Sequence, residues 1–166
     1  MLFDPLAKAL DPQRLAESEA RFEGRIVLPA ERLAELVEET PADVWVRLAF
    51  DWGPQHRPRV RGEVRAEAAC LCQRCQEPLR CVLQSSWELI FAASDEQARS
   101  LGEEGLDCHH ETGPLNLAAM IEDELMLALP MAPRHEPACA PLACAGQAPH
   151  PFAALKELFA RDGHNK

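Results

Sequence analysis

Four of the chain's seven cysteines lie within one short stretch, residues 68–81, which reads AACLCQRCQEPLRC. Cys72 and Cys75 form a C-x-x-C pair, the spacing at which a zinc knuckle offers two thiolates to one metal ion. The same spacing serves thiol–disulfide oxidoreductases, in which a helix N-terminus lowers the pKa of one thiol. Because Glu77-Pro78 does not begin a convincing helix, the sequence favours a metal ligand pair over a redox pair.

A second group of candidate ligands follows about 60 residues later in the chain. His135, Cys139 and Cys144 have the spacing H-x3-C-x4-C in a segment rich in Pro and Ala. A structural zinc ion takes four nitrogen or sulfur ligands in a tetrahedron. The sequence therefore predicts one zinc ion bound by the C-x-x-C pair, by Cys139 and by either Cys144 or His135. The alternative is a group of small thiols, buried or half-buried, that binds no metal.

No other stretch of the sequence has the pattern of a catalytic site. The segment DCHHE (residues 107–111) contains several ligand-type side chains, but neighbours on an extended segment point to opposite sides, so we predict a solvated loop. Nucleophile-elbow, zinc-protease, Walker and dinucleotide-binding motifs are absent from the 166 residues. The sequence therefore predicts a protein that is not an enzyme.

Composition indicates one globular domain. The 166 residues are 47% hydrophobic and 27% charged, which suits a single domain over residues 1–166 with a core of its own. No apolar run approaches the ~18 residues that span a bilayer, and the N-terminus lacks the pattern of a signal peptide. We therefore expect a cytoplasmic protein with no membrane contact, in which an odd number of cysteines stays reduced.

The charge of the chain, −10 in all, is unevenly distributed. Residues 81–130 carry ten acids and one base. An acidic surface of this kind attracts basic partners, and the run Glu122, Asp123 and Glu124 on a predicted helix is the candidate partner-binding surface. The alternative is a solvated helix face that serves only solubility.

Residues 43–80 instead carry seven bases and five acids. Arg59, Arg61 and Arg65 alternate along a predicted strand and can line one face of a sheet to contact RNA phosphates. Glu63 and Glu67 lie between them in the sequence, so cross-strand ion pairs are the alternative use of these arginines.

The order of predicted elements indicates an α+β fold, an antiparallel β-meander sheet packed by helices. Alternating apolar residues predict strands over 22–28, 44–52, 59–70 and 79–91. Helical spacing and caps predict helices over 12–20, 29–39, 94–105 and 116–129. Residues 131–151 are predicted to form a Pro/Ala-rich loop, and residues 152–162 a C-terminal helix.

Several stretches together resemble one protein family. They are DPQRLAESEARFEGRIVL near the start, CQRC in the middle, LAAMIEDELMLALPMAPRHEPAC later and PFAALKEL near the end. In this order, over nearly the whole length, they resemble the YceD family of bacterial large ribosomal RNA subunit accumulation proteins.

The resemblance implies a role in the synthesis, processing or stability of large-subunit (23S) ribosomal RNA, with no active site to carry over. Cys72, Cys75 and Cys139 match family positions, whereas Cys144 looks local to this chain, which leaves His135 as the alternative fourth ligand. The expected partner is a basic ribosomal protein or a pre-large-subunit particle bound through the acidic helix. Direct binding of ribosomal RNA through the arginine-bearing sheet face is the competing hypothesis.

Overall fold

The structure, a computed structural model, describes residues 10–110 and 115–136 together with Leu6 and Cys139. Cys144, the predicted helix over 152–162 and most of the predicted loop over 131–151 lie outside the described residues. The expectation of a single domain over 1–166 therefore stays a prediction.

Five strands and three α-helices make up most of the described chain. The strands are β1 (Arg21–Ile26), β2 (Val44–Trp52), β3 (Pro58–Leu71), β4 (Pro78–Phe91) and β5 (Cys108–His109). The helices are α1 (Pro12–Glu17), α2 (Asp95–Glu103) and α3 (Leu117–Leu127). Short 3-10 turns form at Leu33–Glu35 and Pro54–His56. Among the described residues, no helix is long and apolar enough to cross a membrane.

The strands form one sheet in the order β1-β2-β3-β4-β5. The first four are antiparallel neighbours, so consecutive strands pair as a meander. The two-residue β5 then runs parallel to β4 after the α2 crossover. The predicted α+β meander is confirmed, whereas the loop predicted at residues 107–111 was wrong for Cys108 and His109, which pair with β4.

One side of the sheet forms the core, and it is the side that the apolar alternation predicts. Its fully buried strand residues include Val44, Val46, Leu48, Phe50, Val60, Val64 and Leu83. Leu15 of α1 and Leu117, Ile121 and Leu125 of α3 join the same cluster. The other side of the sheet carries alternate charged residues, and α2 packs on it at one end, where Leu101 and Ala98 form a second, smaller hydrophobic cluster with Ile90 of β4. Cys70 and Cys81 are buried in this core, as predicted.

Gly62 makes room for an aromatic ring in the middle of β3. Its cross-strand partner is Trp87 of β4, and a Cβ atom at position 62 would lie 2.1 Å from Cζ2 of the indole. Glycine is unusual inside a strand, where it often marks a close approach of another group. Here it lets Trp87 lie flat over the backbone of β3.

The helix starts follow the predicted caps. Asp11 accepts a hydrogen bond from the N–H of Gln13 at the start of α1, and Asn116 accepts one from Ala119 at the start of α3. Ser94 likewise accepts from Gln97 at the start of α2. Side-chain oxygens at these positions satisfy N–H groups that have no partner within the helix.

The helix predicted over 29–39 was wrong, since this segment forms only a 3-10 turn at Leu33–Glu35. Two contacts to other parts of the chain explain the difference. The N–H groups of Glu38 and Glu39 bond to the carbonyl of Ala69 in β3, and the N–H of Leu33 bonds to the carboxylate of Glu122. These long-range bonds replace the i to i−4 bonds that a helix needs, so tertiary contacts override helix propensity.

We expect Leu125→Asp to destabilise the protein by several kcal/mol, because Leu125 is fully buried and an aspartate there has no charge partner. Leu127→Asp is the matched control, because it introduces the same residue into the same helix at a position that is 79% exposed. Urea denaturation monitored by circular dichroism measures both effects. Equal stability of the two variants would contradict the position of α3 over the sheet.

Candidate metal centre and the open sheet face

The C-x-x-C pair lies at the tip of the hairpin that joins β3 to β4. The N–H of Cys72 bonds to the carbonyl of Glu77 at 2.9 Å, and the N–H of Gln76 bonds to the carbonyl of Cys72 at 2.9 Å. Gln76 has φ 59°, a left-handed conformation that turns the chain back toward β4. This tight turn brings the two thiols to the same side of the tip.

The segment that follows α3 returns to the same hairpin tip. The N–H of Gln73 bonds to the carbonyl of Pro133 at 2.8 Å, and the guanidinium of Arg74 donates to the carbonyl of Cys139 at 3.2 Å. These two hydrogen bonds, one between backbone groups and one from a side chain, bring the second group of predicted ligands to the first.

Three thiols and one imidazole meet at this point. The ligating atoms of Cys72, Cys75, His135 and Cys139 all lie within 4.8 Å of one another. The Sγ atoms of Cys72 and Cys139 are 3.5 Å apart, and Sγ of Cys75 is 3.4 Å from Nδ1 of His135. The cluster can hold a metal ion. Of the two alternatives for the fourth ligand, His135 lies in the cluster, and Cys144 lies outside the described residues.

The thiols of the cluster differ in charge preference. Burial opposes ionisation of Cys72, but hydrogen bonds from backbone N–H groups, first that of Cys75, outweigh it and lower the pKa of Cys72 to about 5. The N–H of Glu77 favours ionisation of Cys75, yet burial and the neighbouring thiols raise the pKa of Cys75 to about 11. Hydrogen bonding to the thiols raises the pKa of His135. The cluster thus favours one thiolate, at Cys72, and opposes ionisation of Cys75.

The acidic run of α3 is engaged within the fold. The carboxylate of Glu122 is buried, with 5% of the residue exposed. It accepts hydrogen bonds from the backbone N–H groups of Arg32 at 2.8 Å and Leu33 at 3.1 Å. The Arg32 guanidinium donates to the same carboxylate at 3.0 Å. Burial opposes ionisation of Glu122, but these donors outweigh it and hold its pKa below the ordinary value of 4.5. Glu122 thus joins α3 to the 3-10 turn, and its carboxylate faces inward.

The two neighbouring acids are partly engaged as well. Asp123 accepts a hydrogen bond from Arg32 at 2.6 Å but keeps 55% of its side chain exposed. Glu124 accepts one from the hydroxyl of Ser85 on β4 at 2.6 Å. Of the three acids predicted to bind a partner, Asp123 is therefore the one that faces solvent most fully.

The outer side of the sheet brings the predicted arginines together, and most of them form ion pairs there. Arg59 contacts Asp51 at 2.7 Å and Glu88 at 3.1 Å, and Arg61 also pairs with Asp51. Arg65 is exposed and forms no ion pair with the described residues. The predicted set thus divides into two arginines that are neutralised across strands and one that is available.

Trp45 lies beside Arg65 on this outer side. The strand register pairs Trp45 with Arg65 of β3 and with Arg25 of β1, and the guanidinium of Arg47 lies 5.5 Å from the centre of the indole ring. A groove runs past Trp45, Arg25, Arg65 and Arg80. Two acids of the same groove form ion pairs, Asp43 with Arg25 at 2.8 Å and Glu67 with Arg80 at 3.6 Å. Arg25 and Arg80 were not among the predicted site residues, because their proximity depends on strand pairing that the sequence did not specify.

The described residues therefore define an α+β protein with a Cys/His ligand cluster at a hairpin tip and a charged sheet face that α2 covers at one end. Residues 60–159, more than half of the chain, match the family described as Large ribosomal RNA subunit accumulation protein YceD. A protein of that name from Haemophilus influenzae is 33% identical over 141 residues, which cover 77% of this chain and 80% of that protein. No solved structure matches the chain.

The chain belongs to the YceD family. The family match covers both halves of the Cys/His cluster and the whole of α3. It begins at Val60 of β3, so Trp45 and Arg25 lie outside it.

Replacing Glu122 by Gln should lower the free energy of unfolding at pH 7 by about 1–3 kcal/mol, because buried N–H donors lose a charged acceptor. Asp123→Asn leaves that acceptor in place and should cost less than about 1 kcal/mol. Since the pKa of Glu122 is lowered on folding, its contribution is complete above pH 4.5 and is lost as pH falls through the folded-state pKa.

Urea denaturation of both variants and the wild type, at neutral pH and again below pH 4, measures these differences. The deficit of Glu122→Gln should shrink in acid. A Glu122→Gln variant as stable as the wild type at neutral pH would contradict the role of this carboxylate in the fold.

Proposed function

We propose that this chain is a non-enzymatic factor that supports the synthesis, processing or stability of large-subunit (23S) ribosomal RNA by binding pre-large-subunit particles. Membership of the YceD family supports the link to this RNA. The Cys/His cluster supports a binding role rather than a catalytic one. Its four side chains would complete the tetrahedron of a bound ion and would leave no position for substrate.

The observation that carries the mode of binding is the uncovered sheet face around Trp45. An indole ring with arginines on the strands to either side suits an unpaired nucleotide, whose base stacks on the ring while its phosphates meet the guanidinium groups. Arg65 is free to make such a contact, because no described acid pairs with it. We therefore infer that the chain contacts ribosomal RNA directly through Trp45 and Arg65, whereas the guanidinium of Arg25 is engaged by Asp43 at 2.8 Å.

A basic ribosomal protein is the second candidate partner. Residues 81–130 carry ten acids and one base, and Asp123 is more than half exposed on α3. Such a surface would attract a basic protein and would be weakened by salt. Glu122 is excluded from this contact surface, because its carboxylate is used within the fold.

The two candidates differ in which substitutions weaken binding. Trp45→Ala and Arg65→Glu should each weaken co-sedimentation with ribosomal precursors at low salt. Loss of one stacked base alone corresponds to about 1–3 kcal/mol, or roughly 5- to 150-fold in affinity. Asp123→Lys should sediment like the wild type. Fluorescence anisotropy with a single-stranded fragment of large-subunit ribosomal RNA gives the same comparison without other proteins.

Arg14→Glu is the matched control for Arg65→Glu. It makes the same charge change on an arginine that is 86% exposed, in the helix that packs on the opposite side of the sheet. Circular dichroism verifies that each variant is folded. If Asp123→Lys abolishes co-sedimentation while Trp45→Ala and Arg65→Glu leave it unchanged, the partner is a basic protein and direct RNA contact is wrong.

A further inference from the structure

We propose that Cys72, Cys75, His135 and Cys139 bind one structural zinc ion, with His135 coordinating through Nδ1 and without Cys144. Such an ion would hold parts of the folded chain together, and its binding does not depend on the RNA contact proposed above.

The spacing of the ligating atoms fits a tetrahedral zinc site. Zinc–sulfur bonds of about 2.3 Å and zinc–nitrogen bonds of about 2.0 Å place the ligands of a tetrahedron roughly 3.4–3.8 Å apart. Two pairs are in contact, Cys72 with Cys139 at 3.5 Å and Cys75 with His135 at 3.4 Å, and all four ligating atoms lie within 4.8 Å of one another. A disulfide between Cys72 and Cys139 would instead need about 2.05 Å between the sulfur atoms.

The hydrogen bond on the far side of the His135 ring selects the coordinating nitrogen. Nε2 of His135 lies 3.2 Å from the carbonyl oxygen of Pro78. A carbonyl can only accept, so Nε2 carries the proton and donates it. In the neutral ring Nδ1 then presents its lone pair toward the thiols. A ring nitrogen fixed in this way by a backbone carbonyl is the usual outer support of a zinc-ligating histidine.

The sulfur of Cys72 has support of the same kind. The backbone N–H of Arg74 points at this sulfur from 3.4 Å, and hydrogen bonds from N–H groups stabilise a thiolate. Such a donor therefore suits a thiolate ligand, whereas a neutral core thiol has no need of one.

Two core cysteines show the surroundings of a thiol that is buried by apolar packing and binds no metal. Cys70 and Cys81 belong to the main hydrophobic cluster, and burial raises the pKa of Cys70 to about 12. Cys72 is also fully buried but belongs to neither hydrophobic cluster of described residues. Its surroundings are the other three ligands, all of which are half-exposed. Apolar packing therefore does not explain why these four side chains meet.

The ion would connect two parts of the chain that lie far apart in sequence. Cys72 and Cys75 are at the tip of the β3–β4 hairpin, while His135 and Cys139 follow α3. Because the four ligands come together only in the folded chain, the free energy of zinc binding adds to the free energy of folding. The ion would thus fix the end of α3 to the hairpin.

Metal analysis of the full chain, purified without an affinity tag, should give about one zinc per chain. Cys139→Ser and His135→Ala should lose most of this zinc. His135→Cys should retain it, since four thiolates also bind zinc in a tetrahedron. Cys108→Ser is the matched control, because Cys108 lies on β5 away from the cluster, and Cys144→Ser tests the competing ligand. Both of these variants should keep one zinc per chain.

Cobalt substitution gives a readout that does not depend on stability. Cobalt-loaded wild type should show the intense visible absorption of a tetrahedral thiolate site, which Cys139→Ser should lose. Less than a tenth of a zinc per chain, with every thiol of the folded protein open to titration, would overturn the proposal. So would thiols that become titratable only after a reductant is added, since they would indicate a disulfide. Loss of zinc from Cys144→Ser would overturn the assignment of His135.

Discussion

The pairing of β3 with β4 is the constraint on which the rest of the structure depends. Thirteen consecutive residue pairs join the two strands, from Arg59 with Ile90 to Leu71 with Pro78. Because side chains alternate between the faces of a sheet, this one register decides which residues enter the core and which face outward. It also fixes the length of the connecting turn, and so the position of Cys72 and Cys75 at its tip.

Polar contacts then attach distant segments to one another and to this hairpin. Glu122 bonds to backbone N–H groups of the 3-10 turn, and Glu124 bonds to Ser85 on β4, so α3 is held from both sides. The Cys/His cluster secures the segment beyond α3. Both are long-range contacts, and their free energy must offset the entropy of closing long loops.

Structural and contact roles are thus divided between the two sides of the sheet. The inner side is filled by α1, α3 and apolar strand residues, and the acids of α3 mainly hold the fold together. Among the described residues, the outer side is covered at its β4–β5 end, where Leu101 of α2 packs on Ile90, and it carries arginines around Trp45. A protein with net charge −10 can still present a local surface that suits RNA, because screening limits the range of charge interactions to about 10 Å.

The sequence by itself determined the strands, the helix caps and the grouping of ligand-type residues, because these depend on neighbours within a few positions of one another. It predicted the α+β meander correctly, and His135 as one of two alternatives for the fourth ligand. Only the tertiary structure decided that residues 29–39 form a short turn instead of a helix, and that Glu122 faces inward. It alone paired Arg59 and Arg61 with acids and left Arg65 beside Trp45. Each of these outcomes depends on partners that are close in space but distant in the chain, and local patterns carry no information about such partners.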